Sequence, residues 1–171
     1  MTARFSGPKS ALSIERLKFA PKQSLSPFSS SASQRTFILN TVPRCTNWRM
    51  ADFLFIRDFI PNPASLFDQL VEETIWDERM KARKTASFGI AYNYSQISYE
   101  DVPFPETLSD LCGPVSEAVG FAPNNCLLNY YPDGASSMGF HSDTATGRTL
   151  GTGVAIVSLG AAREMRFRHK Q

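Results

Sequence analysis

The chain changes character near residue 51, and that change decides which part of it has the material to build a core. Residues 1–51 carry eight basic side chains (Arg4, Lys9, Arg16, Lys18, Lys22, Arg35, Arg44 and Arg49) against one acidic one, Glu15, whereas residues 52–171 carry ten basic and fifteen acidic groups. The formal net charge of +2 conceals this asymmetry. The first stretch is also rich in Ser and Pro, most of all between Ser24 and Ser33. Such a segment buries too little apolar surface to offset the entropy of ordering its chain. Residues 1–50 are therefore expected to be a disordered tail. The same composition, basic, Ser-rich and poor in acid, fits a transit peptide for a chloroplast or mitochondrion; without that role, nucleus or cytoplasm is the expected location. A third reading has the folded protein starting at Met50. All three place the domain at residues 51–171.

Within that domain, periodicity separates helices from strands. Phe53 to Ile56 reads as a strand, and Pro61-Asn62-Pro63 breaks it. Leu66, Phe67, Leu70, Val71 and Ile75 then recur at helical spacing, which predicts an amphipathic helix over roughly 64–77. After the basic run Arg79, Lys81, Arg83 and Lys84, the aromatic stretch Ser87 to Tyr99 suggests a hairpin. Pro105 suits the first turn of a second helix, whose buried stripe is Leu108, Leu111, Val115 and Val119 and which Gly120 and Pro123 close. Cys126 to Tyr131 reads as a strand, Pro132-Asp133-Gly134 as a turn, Met138 to Phe140 as a short strand, Val154 to Leu159 as a strand stopped by Gly160, and Met165 to Arg168 as a half-exposed strand. Helices followed by a run of strands predict an α+β fold. No stretch approaches the ~18 apolar residues of a membrane span, so no membrane partner is expected. Cys45, Cys112 and Cys126 are odd in number and lack zinc-ligand spacing, which suits reduced thiols.

The chemistry centres on His141-Ser142-Asp143. Residues i and i+2 of an extended chain share a face, so one imidazole and one carboxylate point at a common ion, supplying two legs of a 2-His-1-carboxylate triad that holds iron(II) and leaves positions open. The bare H-x-D pair is weak, because a surface His beside an Asp is a common accident. Its surroundings are specific. Asn129-Tyr130-Tyr131, the turn through Gly134, His141-Ser142-Asp143 and Ser158-Leu159-Gly160 occur in one order, with Arg163 and Phe167-Arg168 after them.

These four parts resemble the AlkB family of iron(II)- and 2-oxoglutarate-dependent dioxygenases over roughly residues 53–170, and Arg83 to Gly89 with Tyr92-Asn93-Tyr94-Ser95 resembles the family's substrate lid. The resemblance implies a double-stranded β-helix, or jelly-roll, core supported by N-terminal helices. It implies His141 and Asp143 as catalytic iron ligands, and Asn129 and Tyr131 as contacts for 2-oxoglutarate. Arg83, Tyr92 and Tyr94 would meet the substrate. The cofactors are then Fe(II) and the cosubstrate 2-oxoglutarate, and the partners O2 and an alkylated nucleic acid, DNA ahead of RNA, for a protein expected to act as a monomer. The implied reaction is DNA-repair dealkylation: 2-oxoglutarate goes to succinate, an N-alkyl group is hydroxylated, and an aldehyde leaves the restored base. An RNA or protein substrate, and a catalytically dead nucleic-acid-binding module, stay open as alternatives.

The family pattern also asks for a distal His and an Arg pairing with the far carboxylate of 2-oxoglutarate. His169 is the one other histidine, and it falls where the family carries ordinary strand and turn. The sequence is therefore expected to be a C-terminally truncated form with an incomplete jelly roll, inactive and poorly soluble by itself because open strand edges invite aggregation.

Overall fold

The structure, a computed structural model, describes residues 11–20, 36–40, 48–50, 53–90, 99–136, 138–141 and 153–166. Among these, seven strands form one mixed sheet: β1 (Ala11–Ala20), β2 (Thr36–Asn40), β3 (Trp48–Met50), β4 (Phe53–Arg57), β5 (Lys84–Gly89), β6 (Ala122–Tyr131) and β7 (Val154–Gly160), in the spatial order β3-β4-β2-β7-β1-β6-β5. β2 runs parallel to both its neighbours, β4 and β7, and every other pairing is antiparallel. Two helices, α1 (Pro63–Glu73) and α2 (Glu106–Val119), complete the α+β arrangement.

Period-two alternation gives the sheet a helix-covered face. Ile14 lies opposite Leu128 on one side and Val157 on the other, and Ala86 also faces Leu128. Together with Leu12, Cys126, Ala155 and Leu159 these residues meet Leu70 of α1 and Leu108, Val115 and Val119 of α2 in the main core. Full burial of one such aliphatic side chain contributes about 1.5–3 kcal/mol, so this layer is the chief source of stability.

The α2 stripe falls where the sequence spacing predicts it, with Leu108, Val115 and Val119 buried and Leu111 packed against the same core. Pro105 sits at the N-cap, and the helix closes where the Gly120 N–H donates to the Ser116 carbonyl. Pro114 is accommodated inside the helix. α1 ends sooner than its apolar spacing suggests. Thr74 is extended, the Trp76 indole N–H donates to the Val71 carbonyl at 3.1 Å, and Ile75 is 93% exposed. The Trp76 bond satisfies a carbonyl that the helix leaves open at its end, and Ile75 leaves the apolar stripe.

Other differences concern strands. Residues 138–141 have no strand pairing, nor do Met165 and Arg166. Phe167 and Arg168, and the return of the hairpin expected after Gly89, lie outside the described residues. The larger difference lies in residues 1–50, read above as a tail: β1, β2 and β3 fall there, and β1 stands between β6 and β7 with a partner on each side. The composition conceals it because the apolar alternation changes phase, Leu12 and Ile14 and then Leu17 and Phe19. The register of β1 shifts at the same place, after Glu15, against both neighbours. A β-bulge absorbs such a slip.

Candidate functional site

The second face of the sheet holds the polar groups. Since Cys126 and Leu128 point into the helix-covered core, Asn129 and Tyr131 project from the opposite side of β6, and both are 0% exposed. Thr85 lies opposite Asn129 in register and is 1% exposed. Its hydroxyl shares a 2.9 Å hydrogen bond with the hydroxyl of Tyr99. A small second cluster, Tyr131 with Met138 and Met165 packed against them, marks this face as a site of burial separate from the main core.

Arg83 reaches into this face from the residue before β5. It is 6% exposed, and its Nε–H donates to Asn129 Oδ1. A contact with nucleic-acid phosphates asks for a solvent-facing guanidinium; the structure instead places this one against the N-x-Y strand. The rest of the basic run is engaged locally. Arg79 pairs with Asp77, whose carboxyl that hydrogen bond holds below the usual range, and lies 5.9 Å over the Tyr99 ring; Lys84 pairs with Glu78 at 2.5 Å; Lys81 is exposed. A hydrogen bond to a charged group is worth about 1.5–3 kcal/mol, so the Arg83 contact fixes which way the Asn129 amide points. Its oxygen is taken. Its Nδ2 is buried with no hydrogen-bond partner among the described residues, as is the Ser87 hydroxyl further along β5.

Tyr131 is held by a second arginine. Gly160, at φ 78, ends β7 in a left-handed conformation that favours glycine, and the chain then carries Arg163 back over the sheet. The Arg163 guanidinium lies 4.5 Å from the centroid of the Tyr131 ring. Its Nη1 donates to the Asp133 carbonyl at 3.0 Å and its Nη2 to the Ser136 carbonyl. The turn so gripped is organised from inside by Asp133, whose Oδ1 accepts from the Ala135 N–H at 2.9 Å and from the N–H and hydroxyl of Ser136 at 3.0 Å each. Those bonds, the Ser136 N–H first, hold the Asp133 carboxyl below its ordinary pKa.

Past the turn, Met138 returns to Tyr131, and His141 follows three residues later. His141 is half-buried, with Nδ1 3.2 Å from the Gly139 carbonyl. A carbonyl only accepts, so a hydrogen bond here needs a proton on Nδ1, and in a neutral ring the lone pair is then on Nε2. That is the tautomer of a metal-binding histidine oriented by its other nitrogen. Asp143, Tyr92 and Tyr94, expected as a ligand and as substrate contacts, lie outside the described residues, as does His169. Of the expected site, the structure therefore brings Asn129, Tyr131 and Arg83 together. No cluster of three or more His, Cys, Asp or Glu occurs among the described residues. Cys112 and Cys126 are unbridged, and burial pushes both thiols up.

A helical core layer thus carries a sheet whose other face presents a buried amide and phenol, with a histidine beyond the next turn. A sequence model described as the 2OG-Fe(II) oxygenase superfamily matches residues 64–171, and the chain belongs to that superfamily. It is similar to the DNA oxidative demethylase ALKBH2 of Bos taurus, at 35% identity over 52% of this chain and 33% of that protein, and to human ALKBH2, at 34% over 52% and 35%. It also resembles the alpha-ketoglutarate-dependent dioxygenase alkB homolog 3 of Rattus norvegicus, at 28% over 61% and 39%. The chain thus spans between about a third and two-fifths of the length of these relatives. No solved structure matches it. The superfamily implies a jelly-roll fold; the described residues form one mixed sheet and two helices, which is consistent with it.

The residues fit an oxyanion cosubstrate on structural grounds: a buried amide donor without a protein acceptor among the described residues is what a carboxylate or keto oxygen would satisfy. For iron, the Nδ1 contact of His141 with the Gly139 carbonyl suits ligation through Nε2. Thr85 and Ser87 fall within the lid-like run Arg83 to Gly89 without a role of their own there, although polar residues at every second position of an otherwise buried strand mark a face distinct from the core. Sequence reasoning quotes Arg163 without a role, because a contact across 30 residues exists only once the fold forms.

Proposed function

We propose that this chain is part of an Fe(II)- and 2-oxoglutarate-dependent dioxygenase that removes N-alkyl groups from nucleic-acid bases, DNA ahead of RNA. The observation that supports this most is the Asn129 amide, buried, held by Arg83 at its oxygen and presenting its N–H2 to the same face as Tyr131. The names of the relatives, DNA oxidative demethylase among them, give the same reading of the substrate.

In this proposal His141, through Nε2, and Asp143 hold the metal, within a jelly-roll core. Iron bound together with 2-oxoglutarate and O2 supplies the oxidising chemistry. The chain's own residues do the rest. Asn129 Nδ2 and the Tyr131 hydroxyl donate to cosubstrate oxygens. Arg83 keeps the Asn129 oxygen turned away, so that an anion meets a donor and not a second acceptor. Burial of both groups removes competing water, which strengthens each hydrogen bond. The alkylated base is held outside its stack, with Tyr92 and Tyr94 as the aromatic surfaces against it. Arg83, being buried, serves the substrate through Asn129.

The test is turnover by the full protein that carries this chain, with Fe(II), 2-oxoglutarate and O2, on N-methylated DNA, RNA and peptide offered in parallel. Succinate and formaldehyde released in equal amounts, fastest on DNA, is the expected result. Turnover on the peptide alone would move the substrate to protein. Salt-sensitive binding to nucleic acid with no succinate, indifferent to iron, would replace the enzyme with a binding module.

A further inference from the structure

The arginine that follows β7 has no part in the reaction as proposed, yet it touches three things that the reaction needs to be still. Its guanidinium lies over the Tyr131 ring, 4.5 Å from the centroid, and two of its N–H groups are spent on backbone carbonyls of the Asp133–Ser136 turn. That turn joins Tyr131 to the segment carrying His141. Asp133 cannot perform this service alone. It ties the turn to itself, through Ala135 and Ser136, but not to the sheet. Arg163 supplies the link between the turn and the end of β7, with Met165 packed beside Tyr131 and Met138 on the same side. A planar guanidinium is suited to this in a way lysine is not, since it presents several donors in a fixed fork. Burial lowers the pKa of Arg163, as expected of a guanidinium drawn in among the groups it holds.

We infer that Arg163 is a positioning residue that locks the Tyr131 ring and the Asp133–Ser136 turn together, so that the phenol contacting 2-oxoglutarate and the histidine segment beyond the turn keep one fixed relation. The inference rests on the proposed cosubstrate role of Tyr131. Arg163 itself touches neither metal nor cosubstrate. Its loss changes how well Tyr131 is aimed, not which chemistry is available.

The experiment uses the full protein that carries this chain, as wild type, Arg163→Met and Arg163→Lys. Binding of 2-oxoglutarate is measured by calorimetry with Mn(II) in place of iron, and backbone amide exchange over residues 133–141 is measured in the metal-free protein. Arg163→Met is expected to weaken 2-oxoglutarate binding about tenfold and to speed exchange across the turn about tenfold, while exchange in α2 and β6 stays as in wild type. Arg163→Lys should fall between, because an ammonium keeps the charge over the ring and one carbonyl contact and gives up the second; if Arg163→Met does not fold, this variant alone decides the matter. Under turnover, KM for 2-oxoglutarate should rise while kcat stays within about twofold. A merely structural role would lower the folded fraction without moving KM or the local exchange. Wild-type affinity with wild-type exchange in the variants would overturn the inference while leaving the proposed function intact. A wild-type protein that binds no 2-oxoglutarate would overturn both, even with the turn exchanging as expected.

Discussion

At Asn129 the amide has one end tied to Arg83 and its other end buried with no protein acceptor among the described residues. Two residues on, Tyr131 lies under Arg163. Each expected cosubstrate contact is thus served by an arginine more than thirty residues away in sequence. That the two share a face is legible, because an N-x-Y pair on a strand does so by alternation alone; their cosubstrate role comes from the family resemblance and is part of the proposal. Their supports are not legible, because no local pattern shows which distant side chain will fold onto them. The same scale gives a pH prediction at Asp133. Its folded pKa is depressed by the Ser136 and Ala135 hydrogen bonds, so the carboxylate stabilises the turn at pH above the unfolded value of ~3.9, and that contribution is lost as pH falls through the lower folded value. Asp133→Asn keeps an acceptor oxygen and removes the charge. Amide exchange at Ser136, corrected for its intrinsic pH dependence, should be less protected in Asp133→Asn than in wild type at neutral pH, with the two converging in acid. A gap unchanged down to the acid limit would exclude the carboxylate as the cause.

Among elements, α2 is the most completely legible, since Leu108, Val115 and Val119 keep helical spacing from end to end. α1 is legible at its start and not at its end, because periodicity counts Ile75 as one more apolar residue while extended Thr74 has already turned the chain out. β5 carries a harder constraint. Gly89 has φ 77, and a Cβ there would lie 2.3 Å from the Asn124 carbonyl oxygen and 2.8 Å from the Phe104 ring. Both the conformation and the space exclude a side chain, and the Gly89 N–H also donates to the Val102 carbonyl at 2.5 Å. Gly89→Ala should therefore destabilise by about 2–4 kcal/mol, adding a left-handed cost of about 1–3 kcal/mol to a backbone clash. Urea unfolding measures it; a midpoint within error of wild type would mean that β5 leaves β6 differently from this description.

For the whole molecule, the informative region is the N-terminal one. Averaged over fifty residues its composition describes a tail or a transit peptide, whereas the structure inserts Ala11–Ala20 between β6 and β7. The average hides the strand because its two apolar pairs are out of phase and surrounded by Ser and basic residues; pairing along both edges compensates for what local propensity lacks. The two readings oppose each other in one deletion. Removal of residues 1–20 takes away β1 and exposes the edges of β6 and β7, which carry Asn129, Tyr131 and the approach to Arg163. The expected product aggregates and loses its cooperative unfolding transition by circular dichroism. A cleavable leader would instead be dispensable, and a truncated protein unfolding like the full one would return this segment to that role. Among the described residues no helix is long and apolar enough to cross a membrane.

In the proposed function, the face carrying Asn129 and Tyr131 receives 2-oxoglutarate beside a metal on His141. The most direct test is calorimetric titration of 2-oxoglutarate into the full protein that carries this chain, with and without Mn(II), for wild type, Asn129→Ala and His141→Ala. That placement predicts saturable wild-type binding that needs the metal, affinity at least tenfold weaker in Asn129→Ala because a buried hydrogen bond to a charged oxygen is lost, and no metal-dependent step in His141→Ala. Equal affinity in all three proteins, or binding indifferent to the metal, would contradict it.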